Sequence, residues 1–104
     1  MFAREIIQNV LDYIDDNINV EFTVDDLCNF AGYSYVHLCR LFNIHIGISP
    51  NEYITRRKLL FAVYEMGSGA SKIDVAMNYG FNTYAGFYKA FKREFCCSPS
   101  KFIK

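Results

Sequence analysis

The chain has 104 residues, and its 52% hydrophobic share, with ten Phe and eight Tyr, suits one folded domain and excludes a disordered one. No apolar run reaches the roughly 18–20 residues needed to cross a membrane, and no secretion signal opens the chain, so a cytoplasmic protein is expected. The formal charge is zero but segregated: residues 1–48 hold two basic and seven acidic side chains (−5), residues 49–104 nine and four (+5), which allows one acidic and one basic face.

Phe2, Ile6, Val10, Leu11 and Ile14 fall at helical spacing and predict a helix over 2–17, closed by Asp15, Asp16 and Asn17. Thr23 caps a short helix over 24–31, with Asp25 and Asp26 favourably placed in its first turn. Gly32 breaks it, Ser34 caps a helix over 35–46, and Gly47 ends that one. Ser49-Pro50 opens a long helix, with proline at its first position, running through Leu59, Leu60, Ala62 and Val63 to about Met66. Gly67-Ser68-Gly69 is the clearest break in the chain. Ser71 caps a fifth helix over 72–79, Gly80 stops it, a sixth covers 83–95, and Ser98-Pro99 starts a short seventh. No segment alternates with period two, so no strand is expected.

Two stretches about 49 residues apart repeat one pattern. Gly32-Tyr33-Ser34 precedes Leu38, Arg40 and Phe42, then Gly47, Ser49, Pro50 and Tyr53; Gly80-Phe81-Asn82-Thr83 precedes Phe87, Lys89 and Phe91, then Cys96, Ser98, Pro99 and Phe102. Short helix, glycine turn, polar cap and second helix make a helix-turn-helix. Two in one small chain are far more specific than one.

Steps of 100° divide each second helix into two faces. In the first, Tyr35, Leu38, Leu41 and Phe42 point inward, and Val36, Cys39, Arg40 and Asn43 point outward. In the second, Tyr84, Phe87, Ala90 and Phe91 point inward, while Ala85, Lys89 and Lys92 point outward, with Arg93 beside them and Tyr88 at the margin. Arginine can bridge guanine N7 and O6, and lysine can reach guanine or phosphate. A single outward Arg or Lys is ordinarily just solvated, and the aromatic stripe is core in any reading. Only the recurrence of basic positions in register with the caps and glycines points to DNA.

The four cysteines, Cys28, Cys39, Cys96 and Cys97, form no C-x-x-C pair. A zinc site from Cys28, His37, Cys39 and His45 is disfavoured, because His37 and Cys39 lie about 200° apart on a helix. Reduced thiols are expected, with no metal and no cofactor. An enzyme is not expected either: there is no Ser/His/Asp set and no phosphate-cradling glycine loop, and His45 falls on the inward side of its helix. The alternative to DNA binding is a helical protein-interaction module, against which the outward Arg40, Lys89, Lys92 and Arg93 speak.

These motifs resemble the DNA-binding domain of the AraC/XylS family of bacterial transcription regulators, over essentially the whole chain. The first unit contributes Leu27, Gly32-Tyr33-Ser34, Leu38, Arg40, Phe42, Gly47 and Ser49-Pro50, then Tyr53, Arg57 and Ala62; the second contributes Val75-Ala76, Gly80-Phe81, Phe87, Phe91-Lys92 and Ser98-Pro99. The resemblance implies an all-α, homeodomain-like fold of seven helices: a first lobe over about 1–48, a linker helix over about 49–66 and a second lobe over about 70–104. It implies two recognition helices in successive major grooves of double-stranded DNA. Val36, Cys39 and Arg40 would face bases in the first, and Tyr84, Ala85, Tyr88 and Lys89 in the second. It further implies RNA polymerase as a partner and, in most members, an effector-sensing or response-regulator receiver domain ahead of this module. The chain departs from the family pattern at Cys96, where a helix-ending glycine is usual. Lys72 stands where an apolar residue is typical, with Ile73 expected to take over its packing, and Lys104 replaces an arginine.

Overall fold

The computed structural model describes residues 3–102, so the expectations for Phe2 and Lys104 fall outside the described residues. Six α-helices follow one another: α1 (Ala3–Asp16), α2 (Val24–Ala31), α3 (Tyr35–His45), α4 (Pro50–Gly67), α5 (Lys72–Asn78) and α6 (Tyr84–Phe95). There is no strand among the described residues. The expected seventh helix is a single 3₁₀ turn, Pro99–Lys101, closed by i→i+3 bonds from Lys101 N–H to the Ser98 carbonyl (3.2 Å) and from Phe102 N–H to that of Pro99 (2.9 Å). Three residues are too few to repay the nucleation of an α-helix. No helix among the described residues is long and apolar enough to cross a membrane.

The chain forms two compact units, one ending at Thr55 and the other starting at Arg56, with the division inside α4. In the first unit α1 buries Ile7, Val10 and Ile14, the i, i+3, i+7 stripe of an amphipathic helix. Ile18, Leu27 of α2 and Leu38 and Phe42 of α3 complete that core. Ile7, not Ile6 or Leu11, is the first fully inward side chain of α1. Tyr53, in the opening turns of α4, sets its ring 5.9 Å from that of Phe42.

In the second unit Leu59, Ala62, Val63 and Met66 of α4 play the part that α1 plays in the first. Val75 and Ala76 of α5 and Phe87, Ala90 and Phe91 of α6 are buried with them. The buried Tyr79 satisfies its hydroxyl by donating to the Glu65 carboxylate. Each fully buried large side chain contributes about 1.5–3 kcal/mol of transfer free energy.

Candidate nucleic-acid interface

Each unit presents one helix-turn-helix, and the two are built from equivalent parts. Thr23 opens α2 with a capping box: its Oγ1 accepts from Asp26 N–H (3.1 Å), and its own N–H donates to Asp26 Oδ2 (2.9 Å). Ser71 caps α5 through its hydroxyl, which accepts from Asp74 N–H (3.4 Å). The Cys28 carbonyl accepts from the N–H groups of Gly32 (2.8 Å) and Tyr33 (3.2 Å), and the Ala76 carbonyl accepts from Phe81 N–H (2.9 Å). Both turn glycines, Gly32 and Gly80, have positive φ. Up to this point the repeat spacing is 48 residues; Asn82 makes the second turn one residue longer, and from Ser34 and Thr83 onward the spacing is 49.

Ser34 and Thr83 then cap the second helices, accepting from His37 N–H (3.3 Å) and Gly86 N–H (3.0 Å). Leu38 and Phe42 match Phe87 and Phe91, all buried. These pairs orient α3 and α6 by the same two-point anchorage. α3 ends before Gly47 and α6 before Cys96, both at positive φ. The expected departure at Cys96 is therefore a backbone departure: an L-residue at φ 59° and ψ 20°, where its counterpart is glycine. Cys96 is the only non-glycine residue with positive φ among the described residues.

The outward faces carry the candidate readers. On α3, Val36, Arg40 and Asn43 are exposed and Cys39 is half-buried. On α6, Ala85, Tyr88, Lys89, Lys92 and Arg93 are exposed and Tyr84 is half-buried. The ring of Tyr84 lies 5.9 Å from that of Phe87 and 6.5 Å from that of Tyr88, so it bridges the core and the outer face. Glu94 turns back from this face: its Oε1 accepts from Arg56 Nε at 3.2 Å, and its Oε2 lies 3.5 Å from Arg93 Nε. Such pairs at a surface contribute little stability, and the second of them leaves Arg93 largely exposed.

Four expectations are corrected. Tyr35, placed inward by its wheel angle, is 45% exposed. His45, also placed inward, is exposed, and Ile73 is 60% exposed rather than packed in place of Lys72. All three occupy the first or last turn of a short helix, where an inward angle overhangs the neighbouring helices instead of meeting them. Lys72 sets its Nζ 5.8 Å from the centre of the Tyr84 ring, a cation–π distance that gives the lysine its own partner. The fourth correction is an omission: Ile44, 75% exposed, shares the outer face of α3 with Val36 and Arg40. Its register partner in α6 is Arg93, which was the available signal.

A small thiol–phenol group lies where α2 meets α3. A hydrogen bond to Cys39, followed by that thiol's charge, raises the Tyr35 phenol above its ordinary value. Burial, then Asp25 and Cys39, pushes the Cys28 thiol up. All four cysteines are free.

A family model described as a helix-turn-helix domain matches residues 27–104. The chain is 34% identical over 100 residues to the HTH-type transcriptional activator AarP of Providencia stuartii, covering 95% of this chain and 74% of that one. It is 33% identical over 103 residues to the regulatory protein SoxS of Salmonella typhimurium, covering 98% of this chain and 96% of that one. Among solved structures it is similar to a transcriptional regulator with an AraC-type DNA-binding domain from Chromobacterium violaceum. There the TM-score is 0.85 at 21% identity, over 95% of this chain and 89% of that one.

Proposed function

Since this chain belongs to the AraC-type helix-turn-helix family of DNA-binding transcription regulators, we propose that the outer faces of α3 and α6 are its two readers of double-stranded DNA. The observation that carries this is the equivalence of the two helices. Cap, buried anchors and positive-φ terminus recur in register, and each leaves one solvent-exposed face with a basic residue at the matched places Arg40 and Lys89. In the first reader Arg40 makes the polar base contact, with Val36 and Cys39 suited to thymine methyls and Asn43 at the edge. In the second, Ala85 lets the backbone approach closely, Tyr84, Tyr88 and Lys89 meet bases, and Lys92 and Arg93 neutralise phosphates.

The readers differ in their outward residues, so they select different base sequences and the site is asymmetric, unlike the matched half-sites of a symmetric dimer. Regulation follows from recruiting or positioning RNA polymerase at such a site. AarP is by name an activator, which favours activation here. The family's role is DNA recognition and not catalysis.

The direct experiment selects duplexes from a random pool with the chain and titrates binding against salt. A distinct, non-palindromic sequence should emerge, and affinity should fall steeply between low and physiological salt as counterions are released. A flat salt response with no enriched sequence would refute the reading.

A further inference from the structure

The two structural units carry opposite charge. Up to Thr55 the chain has two basic and eight acidic side chains, a formal −6; from Arg56 it has nine basic and three acidic, a formal +6. The contrast recurs on the reading helices themselves. α3 has one Lys or Arg, Arg40, and the next two outer positions, Asn43 and Ile44, are uncharged; the matched positions of α6 hold Lys89, Lys92 and Arg93, all exposed.

It recurs again on the helices that precede the turns. α2 opens with Asp25 and Asp26, whereas α5 has Ile73 and Asp74 at the matched places, with Lys72 just ahead. The first unit thus sets two carboxylates ahead of its turn where the second sets one. Approach to any polyanion raises the free energy of a unit of charge −6 and lowers that of a unit of charge +6.

We propose that the two units divide the work of binding: the second adds to its base contacts a grip on any duplex by charge, and the first is a selectivity reader that engages only where base contacts outweigh its repulsion. Arg40 supplies the polar part of that contact and Val36 and Cys39 its apolar part, while the exposed Ile44 leaves uncharged the place where the second reader carries Arg93. The division rests on the DNA-binding reading above and goes beyond it by assigning affinity and selectivity to different units.

The test uses the full chain on two probes, a duplex selected from a random pool and a duplex of scrambled sequence, each titrated over salt. Arg40→Ala should weaken binding to the selected duplex by about 5- to 150-fold, the scale of one bidentate base contact. Its effect on affinity and salt slope on the scrambled duplex should be much the smaller. Lys92→Ala should weaken the scrambled duplex and reduce its slope by about one. Ile44→Arg, which copies Arg93 into the first reader, should raise scrambled-duplex affinity, steepen that slope by about one and lower the selected-to-scrambled ratio. If Arg40→Ala flattens the scrambled-duplex slope as much as Lys92→Ala does, or if Ile44→Arg leaves the ratio unchanged, the division of work is wrong. If the unaltered chain binds neither duplex, the DNA-binding reading itself fails.

Discussion

Replacing Cys96 by glycine should make the protein more stable. Cys96 ends α6 at φ 59°, where an L-residue costs roughly 1–2 kcal/mol through the approach of its Cβ to the following carbonyl. Glycine removes that cost but is freer in the unfolded chain, which takes back about 0.5–1 kcal/mol. The side chain is exposed, so no packing is lost. The bond from Cys96 N–H to the Lys92 carbonyl (2.8 Å) belongs to the backbone and stays. The net gain is at most about 1.5 kcal/mol, with a middle value of about 0.75 kcal/mol or roughly 3–6 °C in the melting midpoint of a chain this size. Thermal and urea unfolding followed by circular dichroism reads it directly.

Two companions sharpen the comparison. Cys96→Ala keeps a Cβ in the left-handed region and should change little. Gly47→Ala, at the matched end of α3 with φ +89° and no atom within 4 Å of the new Cβ, should lose about 0.5–1 kcal/mol. If Cys96→Gly proves no more stable than Cys96→Ala, the strain assigned to this cap is absent and the stability difference has been misplaced.

Inserting about five base pairs between the two segments of a selected site turns one of them to the opposite face of the duplex; affinity should fall by the base contacts of one reader, and an unchanged affinity in electrophoretic shift assays would leave only one reader. Phe87→Ala removes a fully buried ring that meets Phe81, Tyr84 and Phe91 and should cost about 3–5 kcal/mol, read as a lower denaturant midpoint. Cys28, whose raised thiol pKa leaves less thiolate at neutral pH, should alkylate more slowly than the exposed Cys96, as peptide mass spectrometry after timed labelling would show.

Local chemistry makes most of the fold legible in the sequence. Thr23, Ser34 and Ser71 are small hydrogen-bonding side chains ahead of helical runs, and each caps the helix it precedes. Gly32, Gly47 and Gly80 sit at positive φ, as residues without a Cβ after apolar runs imply. What sequence periodicity could not supply is position along the helix axis. A wheel gives Tyr35 and Leu38 comparable inward angles, yet Leu38 lies mid-helix above the core and Tyr35 lies in the first turn beyond it. Ile44 was missed for the opposite reason. An exposed isoleucine violates the expectation that apolar side chains face inward, so only comparison with Arg93 in the second copy identifies its face.

Tyr53 and Phe102 each follow a Ser-Pro pair by the same interval, and each lays a ring against the last buried phenylalanine of its unit: Phe42 at 5.9 Å and Phe91 at 5.2 Å. After Pro99 the chain makes one tight turn, whereas after Pro50 it runs on for an 18-residue helix. The lid of the first module is thus also the opening of the second, and no loop separates them. A fragment cut in the conventional way, at the glycine and serine that follow α3, would remove Pro50 and Tyr53 and uncover Phe42. A separable first reader has to borrow at least the opening turns of α4, so these two modules share a helix that neither can give up whole.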